Sequence, residues 1–141
     1  MDELTDLGYE LRYDLQNANG EITNAASIAN KFRSDRVAVS VGIATPTAQA
    51  LANAITDLPV VYAAVTDPVD AGLVDSYDQG GPNVTGVSDM TPVREQIELL
   101  VRVAGIETLG HVYTSGEANA VRLAEMAREA AEDLGLGFVE A

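Results

Sequence analysis

Cysteine is missing altogether from this 141-residue chain, which removes disulfides, thiolate metal sites and cysteine nucleophiles from consideration. The same absence leaves the compartment open. A single histidine, His111, rules out a polyhistidine metal site and leaves any Ser-His-Asp triad resting on that residue alone. Basic residues are scarce. Lys and Arg number 8 against 22 Asp and Glu, for a formal charge of −14 and a pI near 4.1. Without a Lys/Arg surface the phosphates of a nucleic acid cannot be neutralised, and anionic membrane surfaces are disfavoured for the same reason. Tryptophan is absent, aromatic residues make up 5% of the chain, and no apolar run is long enough to span a bilayer.

What is present is ordinary for a folded domain. Apolar residues account for 47% of the chain, and its length suits one domain or pieces of two small ones. The one lysine, Lys31, stands beside arginines only. An acid-rich, lysine-poor surface suits a protein that stays soluble at very high salt, where self-repulsion is screened, so a halophilic source is expected.

Along the chain, strand-like and helix-like runs alternate. No basic region followed by an apolar stretch opens the chain, so no secretion signal is expected at its start. Leu4 to Tyr9 reads as the last turn of a helix capped by Gly8. Leu11 to Leu15 alternates apolar and polar residues like a strand. Asn24 to Arg33 places Ala25, Ile28, Ala29 and Phe32 on one helical face. Val37 to Ile43 is a β-branched run, after which Thr45 at the N-cap and Pro46 at the first helical position open a helix. Val60 to Val65 is a buried strand ending at Thr66-Asp67-Pro68.

A short helix is expected over Gly72 to Tyr77 and a short strand over Val84 to Val87. Thr91-Pro92 repeats the helix-opening signature, with Ile97, Leu100, Val101 and Ala104 at helical spacing behind it. Leu109 to Tyr113 reads as a strand. Thr114-Ser115-Gly116-Glu117 is a capping-box pattern whose helix runs to about Leu134, and Gly137 to Glu140 can be a final strand. Strands alternating with helices of this length predict parallel β-α-β units with helices on both faces, their apolar strands buried on both sides.

In such sheets, ligands bind beyond the carboxyl ends of strands, where loops enter helix N-termini. Three ends stand out: Ala44-Thr45-Pro46-Thr47, Thr66-Asp67-Pro68 and Thr114 to Glu117. Free N–H groups with a hydroxyl beside them suit a carboxylate or phosphate, and an Asp at a strand end offers charge to a ligand ammonium. Plain readings stand next to these. Thr45 and Thr114 can be N-caps only, Asp67 a turn residue, and His111 a packed strand residue. Gly80-Gly81 has neither the P-loop lysine nor Rossmann spacing. Glu125, Glu129, Glu132 and Asp133 read as a solvated helix face partly paired with Arg122 and Arg128. No set of nucleophile, base and orienter is visible.

Four runs in order carry a resemblance: Ala44 to Leu51, Leu58 to Pro68, Ala71 to Val74, and Asn83 to Asp89. Together they resemble the substrate-binding proteins of ABC transporters, of the tryptophan- and tyrosine-binding lipoprotein type. Tyr113 to Asn119 is similar to that family's second-lobe loop, although Thr114-Ser115 stands where the family usually has Asn-Pro. The likeness extends from about Leu4 to Ala141.

The resemblance implies a two-lobed, periplasmic-binding-protein-like (type I) α/β fold that closes on a small molecule. Residues 1–88 would belong to the first lobe and 89–141 to the second, each incomplete. The family's first strand sits between the runs at Leu11 and Val37, and its absence would leave unpaired backbone groups, so a fragment of a longer reading frame is expected. Carried over, Thr45, with Pro46 at its helix start, would hold a ligand carboxylate. Asp67, after Thr66, would face the ammonium. Ser88 and Asp89 lie at the lobe crossover, and Ser115 to Asn119 would form the opposite wall.

The implied role is non-enzymatic and needs no cofactor: an extracellular or cell-surface receptor passes an amino-acid-like solute, aromatic ones included, to membrane permease subunits. An extracellular ligand-sensing domain of a signalling protein remains the alternative. A flavodoxin-like enzyme or nucleotide-binding domain would need a phosphate loop or catalytic set that the sequence does not display.

Overall fold

The computed structural model describes residues 6–141. Its helices are α1 (Ile22–Ser34), α2 (Thr45–Ala54), α3 (Val93–Ala104) and α4 (Ala118–Asp133). Its strands are β1 (Ser40–Ile43), β2 (Val60–Val65), β3 (Val84–Ser88), β4 (Thr108–His111) and β5 (Gly137–Glu140). Every strand pairing is parallel, in two separate sheets ordered β1-β2-β3 and β4-β5. The β-α-β alternation expected from the sequence is therefore the architecture found.

Each sheet has its own core. In the first, β2 is central and carries Val60, Tyr62 and Val65 inward against Ala48, Leu51 and Ile55 of α2 and its C-cap, with Leu73 and Val74 closing the base. Close packing of α2 on β1 depends on Gly42, where a Cβ would come within 2.7 Å of the Ala48 Cα. In the second, Val93 and Ile97 of α3 meet Ala127 and Ala130 of α4, flanked by Leu109, Leu123 and Phe138. Alanine on α4 allows the helices to approach closely.

Several expectations need correction. Leu11 to Leu15 forms no strand; Leu11, Tyr13 and Leu15 are exposed. Alternation specifies a face, but a strand also needs a neighbouring edge to pair with, and none meets this run. The strand expected from Val37 begins at Ser40, and its Val41 and Ile43 are more than half exposed rather than buried on both faces. Only β2 pairs with it among the described residues. Gly72 to Tyr77 is turns, with an isolated bridge between Ser76 and Gln79, instead of a helix.

Helix starts differ as well. Thr45 lies inside α2, whose N-cap is Ala44, and Thr91-Pro92 precedes a helix starting at Val93 with Pro92 at its N-cap. The Thr114 capping box does not form: α4 begins at Ala118 after Glu117, and Thr114 contributes only its carbonyl, to the Glu117 N–H. Of the expected helix end at Leu4 to Tyr9, Leu4 and Thr5 lie outside the described residues; Gly8, at its close, has φ 85°.

Candidate functional site

The carboxyl end of β1 turns into α2 through Ala44, held at φ 74° and ψ 157°. A Cβ makes that region costly, by about 1–3 kcal/mol, and here it coincides with the start of α2. The α2 N-terminus has no side-chain cap. Thr47 instead turns its hydroxyl back to donate to the carbonyls of Ile43 and Ala44. Thr45 is buried and its Oγ1 has no hydrogen-bond partner. Buried polar atoms without partners are rare in folded proteins, and this one sits at a helix start.

A cavity of about 540 Å³ opens at this point. Ala44, Pro46 and Thr47 line it from the first sheet's side; Glu117 and Asn119, at the start of α4, line it from the second. Asn119 Oδ1 is the other buried side-chain atom lacking a partner among the described residues. The remaining wall is largely apolar, including Ile28, Phe32 and Ile43. An apolar chamber with a few polar groups converging at one end is the form of a small-molecule site.

Asp67 follows β2, which a bulge at Ala64 (φ 53°) deflects before Thr66. Its side chain is almost fully buried, and both oxygens are engaged. Oδ1 accepts the Val69 N–H at 3.1 Å and the Asp70 N–H at 3.0 Å; the Tyr77 hydroxyl lies 2.9 Å from each oxygen. Arg122 of α4 reaches Oδ2 at 3.5 Å. Burial alone would raise this carboxyl's pKa, but the Asp70 N–H, the Tyr77 hydroxyl, the Val69 N–H and Arg122 outweigh it and hold it below the usual carboxylate range. The same contact pushes the Tyr77 hydroxyl up, because ionising it beside a carboxylate is unfavourable. Asp67 thus braces the Pro68-to-Tyr77 turn, and in this conformation its oxygens are taken by protein donors.

The structure brings Pro46 and Asn119 to one cavity, with Thr45 immediately behind. Thr66 and Ser88 join the ends of β2 and β3, the Ser88 hydroxyl donating to the Thr66 carbonyl at 2.8 Å. Asp89 is exposed, its N–H donating to Val65 O, and Ser115 is exposed in the loop before α4. Those four, and Asp67, do not line the cavity. Glu117 falls within the Ser115-to-Asn119 wall expected from the sequence, whereas Arg122, which reaches Asp67, was not placed there. Arg122 follows Asn119 by three positions, so both share one face of α4, a spacing that could have been read as a second cleft-facing group. Tyr77, in an irregular turn, carries no comparable signal.

The family model described as ABC transporter substrate binding protein matches residues 1–141. The chain belongs to this family. Proteins of the family are binding proteins rather than enzymes. A tyrosine-binding protein of Clostridioides difficile is 39% identical over 122 residues, covering 83% of this chain and 35% of that protein. Among solved structures, a conserved domain protein of Vibrio cholerae is 44% identical, with a TM-score of 0.93 over 99% of this chain and 49% of its own. An ABC domain from Streptococcus pneumonia in complex with L-Trp is 38% identical, with a TM-score of 0.91 over the same shares, 99% and 49%. The ligand-free, open structure of a Clostridium difficile substrate-binding protein with adhesive properties is 36% identical, also over 99% and 49%, with a TM-score of 0.68. This member of the ABC substrate-binding family thus spans about half the length of its solved relatives, within the same α/β fold of parallel sheets.

Proposed function

We propose that this chain carries the ligand cleft of a transporter-linked receptor for an amino acid with an aromatic side chain. The carrying observation is the pair of buried, unpartnered oxygens, Asn119 Oδ1 on a residue that lines the cavity and Thr45 Oγ1 between the lining residues Ala44 and Pro46. Each lacks a hydrogen bond that a zwitterion's head group can supply. Relatives that bind tyrosine and L-Trp give the same ligand class.

In this reading, residues 1–88 form part of one lobe and 89–141 part of the other, a division supported by the two sheets and two cores. The uncapped α2 N-terminus with Thr45 and Pro46 takes the ligand carboxylate through backbone N–H groups and the helix dipole. Glu117, with Asn119, takes the ammonium, because the Asp67 oxygens are already engaged. Ile28, Phe32 and Ile43 receive the side chain. Ser88 and Asp89 serve at the crossover between lobes, and Ser115 lies at the rim. Closure of the lobes would retain the ligand without transforming it, for delivery to permease subunits at the outer membrane face.

Titration calorimetry of the purified protein with L-tryptophan and L-tyrosine, at high salt, tests the proposal. Saturable heat with either, lost with the corresponding amine that lacks the carboxylate, is expected. Absence of heat with both, from protein showing a cooperative melt, refutes it.

A further inference from the structure

Among the described residues, one ion pair joins residues 1–88 to residues 89–141: Arg122 Nε to Asp67 Oδ2, at 3.5 Å. We propose that Arg122 is a positioning residue that clamps the second lobe onto the first across the cleft and so slows ligand release. The effect on release rests on the amino-acid-binding reading above, whereas the clamp between lobes does not.

Three features support it. Asp67 is set in place without Arg122, since Val69, Asp70 and Tyr77 orient the carboxylate from within its own lobe. A fixed, almost fully buried anion is a strong target for a mobile cation, because its charge is poorly screened by solvent. Arg122 is one turn beyond Asn119 on α4, so the residue that reaches Asp67 also keeps Asn119 over the cavity. Its other acidic neighbour, Glu125, lies farther away at 3.8 Å and is half exposed, which makes it the weaker competitor. The lobe placement that permits this contact superposes better on the L-Trp complex than on the open, ligand-free relative.

The absence of cysteine and tryptophan makes the test clean. Cysteines introduced at the exposed positions Asn53 on α2 and Glu129 on α4 carry spin labels, and pulsed dipolar spectroscopy gives the interlobe distance without ligand. With Arg122→Gln the distance distribution should lengthen and broaden, while Arg122→Lys should recover most of the native one. Bound L-tryptophan is its own fluorophore in stopped-flow release. Release should quicken about tenfold in Arg122→Gln, less than for a fully buried charge pair because the Arg122 side chain is about a third exposed.

Asp67 keeps three donors in that variant, so far-UV melting should move little. Unchanged interlobe distances in Arg122→Gln overturn the clamp. Distances that lengthen while no form of the protein, native included, binds L-tryptophan would uphold the clamp and refute the ligand reading instead.

Discussion

Replacing Asp67 with asparagine changes few atoms and isolates what the charge does. The variant keeps an oxygen for the Val69 and Asp70 N–H groups, at 3.1 and 3.0 Å in the parent. An amide NH2 replaces Oδ2, facing the Arg122 guanidinium and removing one of the two acceptors available to the Tyr77 hydroxyl. Hydrogen bonds to charged groups contribute about 1.5–3 kcal/mol and neutral ones about 0.5–1.5, so each surviving bond weakens by roughly 1 kcal/mol. Removing a buried charge also recovers part of its desolvation cost, which offsets a share of that loss. The expected net destabilisation is about 1.5–3 kcal/mol. At a urea slope of about 2 kcal/mol per molar, the midpoint should fall by about 1 M.

The acid side of the stability profile gives the sharper test. The native carboxyl titrates below its unfolded value of about 3.9, so its contribution is complete at pH values above that. It declines as pH falls through the folded value. Parent and Asp67→Asn should therefore differ by a constant amount near neutrality and converge below about pH 4. Measuring both by urea denaturation across pH cancels the other carboxylates, which are common to the two proteins. A midpoint at neutral pH within 0.2 M of the parent's, given an assay precision of roughly that size, would refute the assignment of Asp67 as a brace.

Thr45→Val removes an unpartnered buried hydroxyl, so the ligand-free protein should be as stable as the parent or up to about 1 kcal/mol more so. The same variant should bind L-tryptophan about tenfold more weakly by calorimetry; unchanged affinity would remove Thr45 from the site. Ala44→Gly relieves a side chain held at φ 74° and should raise stability by about 1 kcal/mol after the entropy of glycine is subtracted, measured by urea unfolding. Gly86→Ala places a Cβ within 2.0 Å of the Tyr62 carbonyl oxygen, so β3 must separate from β2. Its expected cost exceeds about 3 kcal/mol, and a normal melt would show that the β2–β3 register is wrong.

Much of this fold was legible because burial leaves period and composition behind. Val60 to Val65 is an unbroken apolar run, and it became the strand with sheet neighbours on both edges. Gly137 to Glu140 and the stop near Leu134 were equally plain. What escaped notice depended on partners distant in sequence. Leu11 to Leu15 has a strand's alternation without an edge to pair with, and Val41 and Ile43 lie on a strand paired along one side. Thr45-Pro46 has the letters of a cap, but Ala44 takes the cap position in a conformation that sequence propensity would assign to glycine. Thr45 and Pro46 were singled out because helix starts concentrate unpaired groups, and Asn119 because of the family resemblance; Pro46 and Asn119 line one cavity. Arg122 was assigned to a solvated face because charge spacing along one helix also explains its contact with Glu125.

The irregular positions in the first sheet fall together, at or near the carboxyl ends of its strands. Ala44 and Ala64 are non-glycine residues at positive φ, each at or near the carboxyl end of a parallel strand. Ala44 sets the direction of the first turn of α2 beside the cavity. Ala64 shifts the register so that Val65 pairs with Ser88, which brings the β2 and β3 ends together before the chain crosses to α3. Neither deviation buries its own side chain, since Ala44 and Ala64 are both exposed. Each is tolerated because a buried neighbour, Thr45 or Val65, anchors the chain directly after it. Within the first sheet the positive-φ alanines stand at or near the strand ends, an arrangement that fits the proposed binding surface.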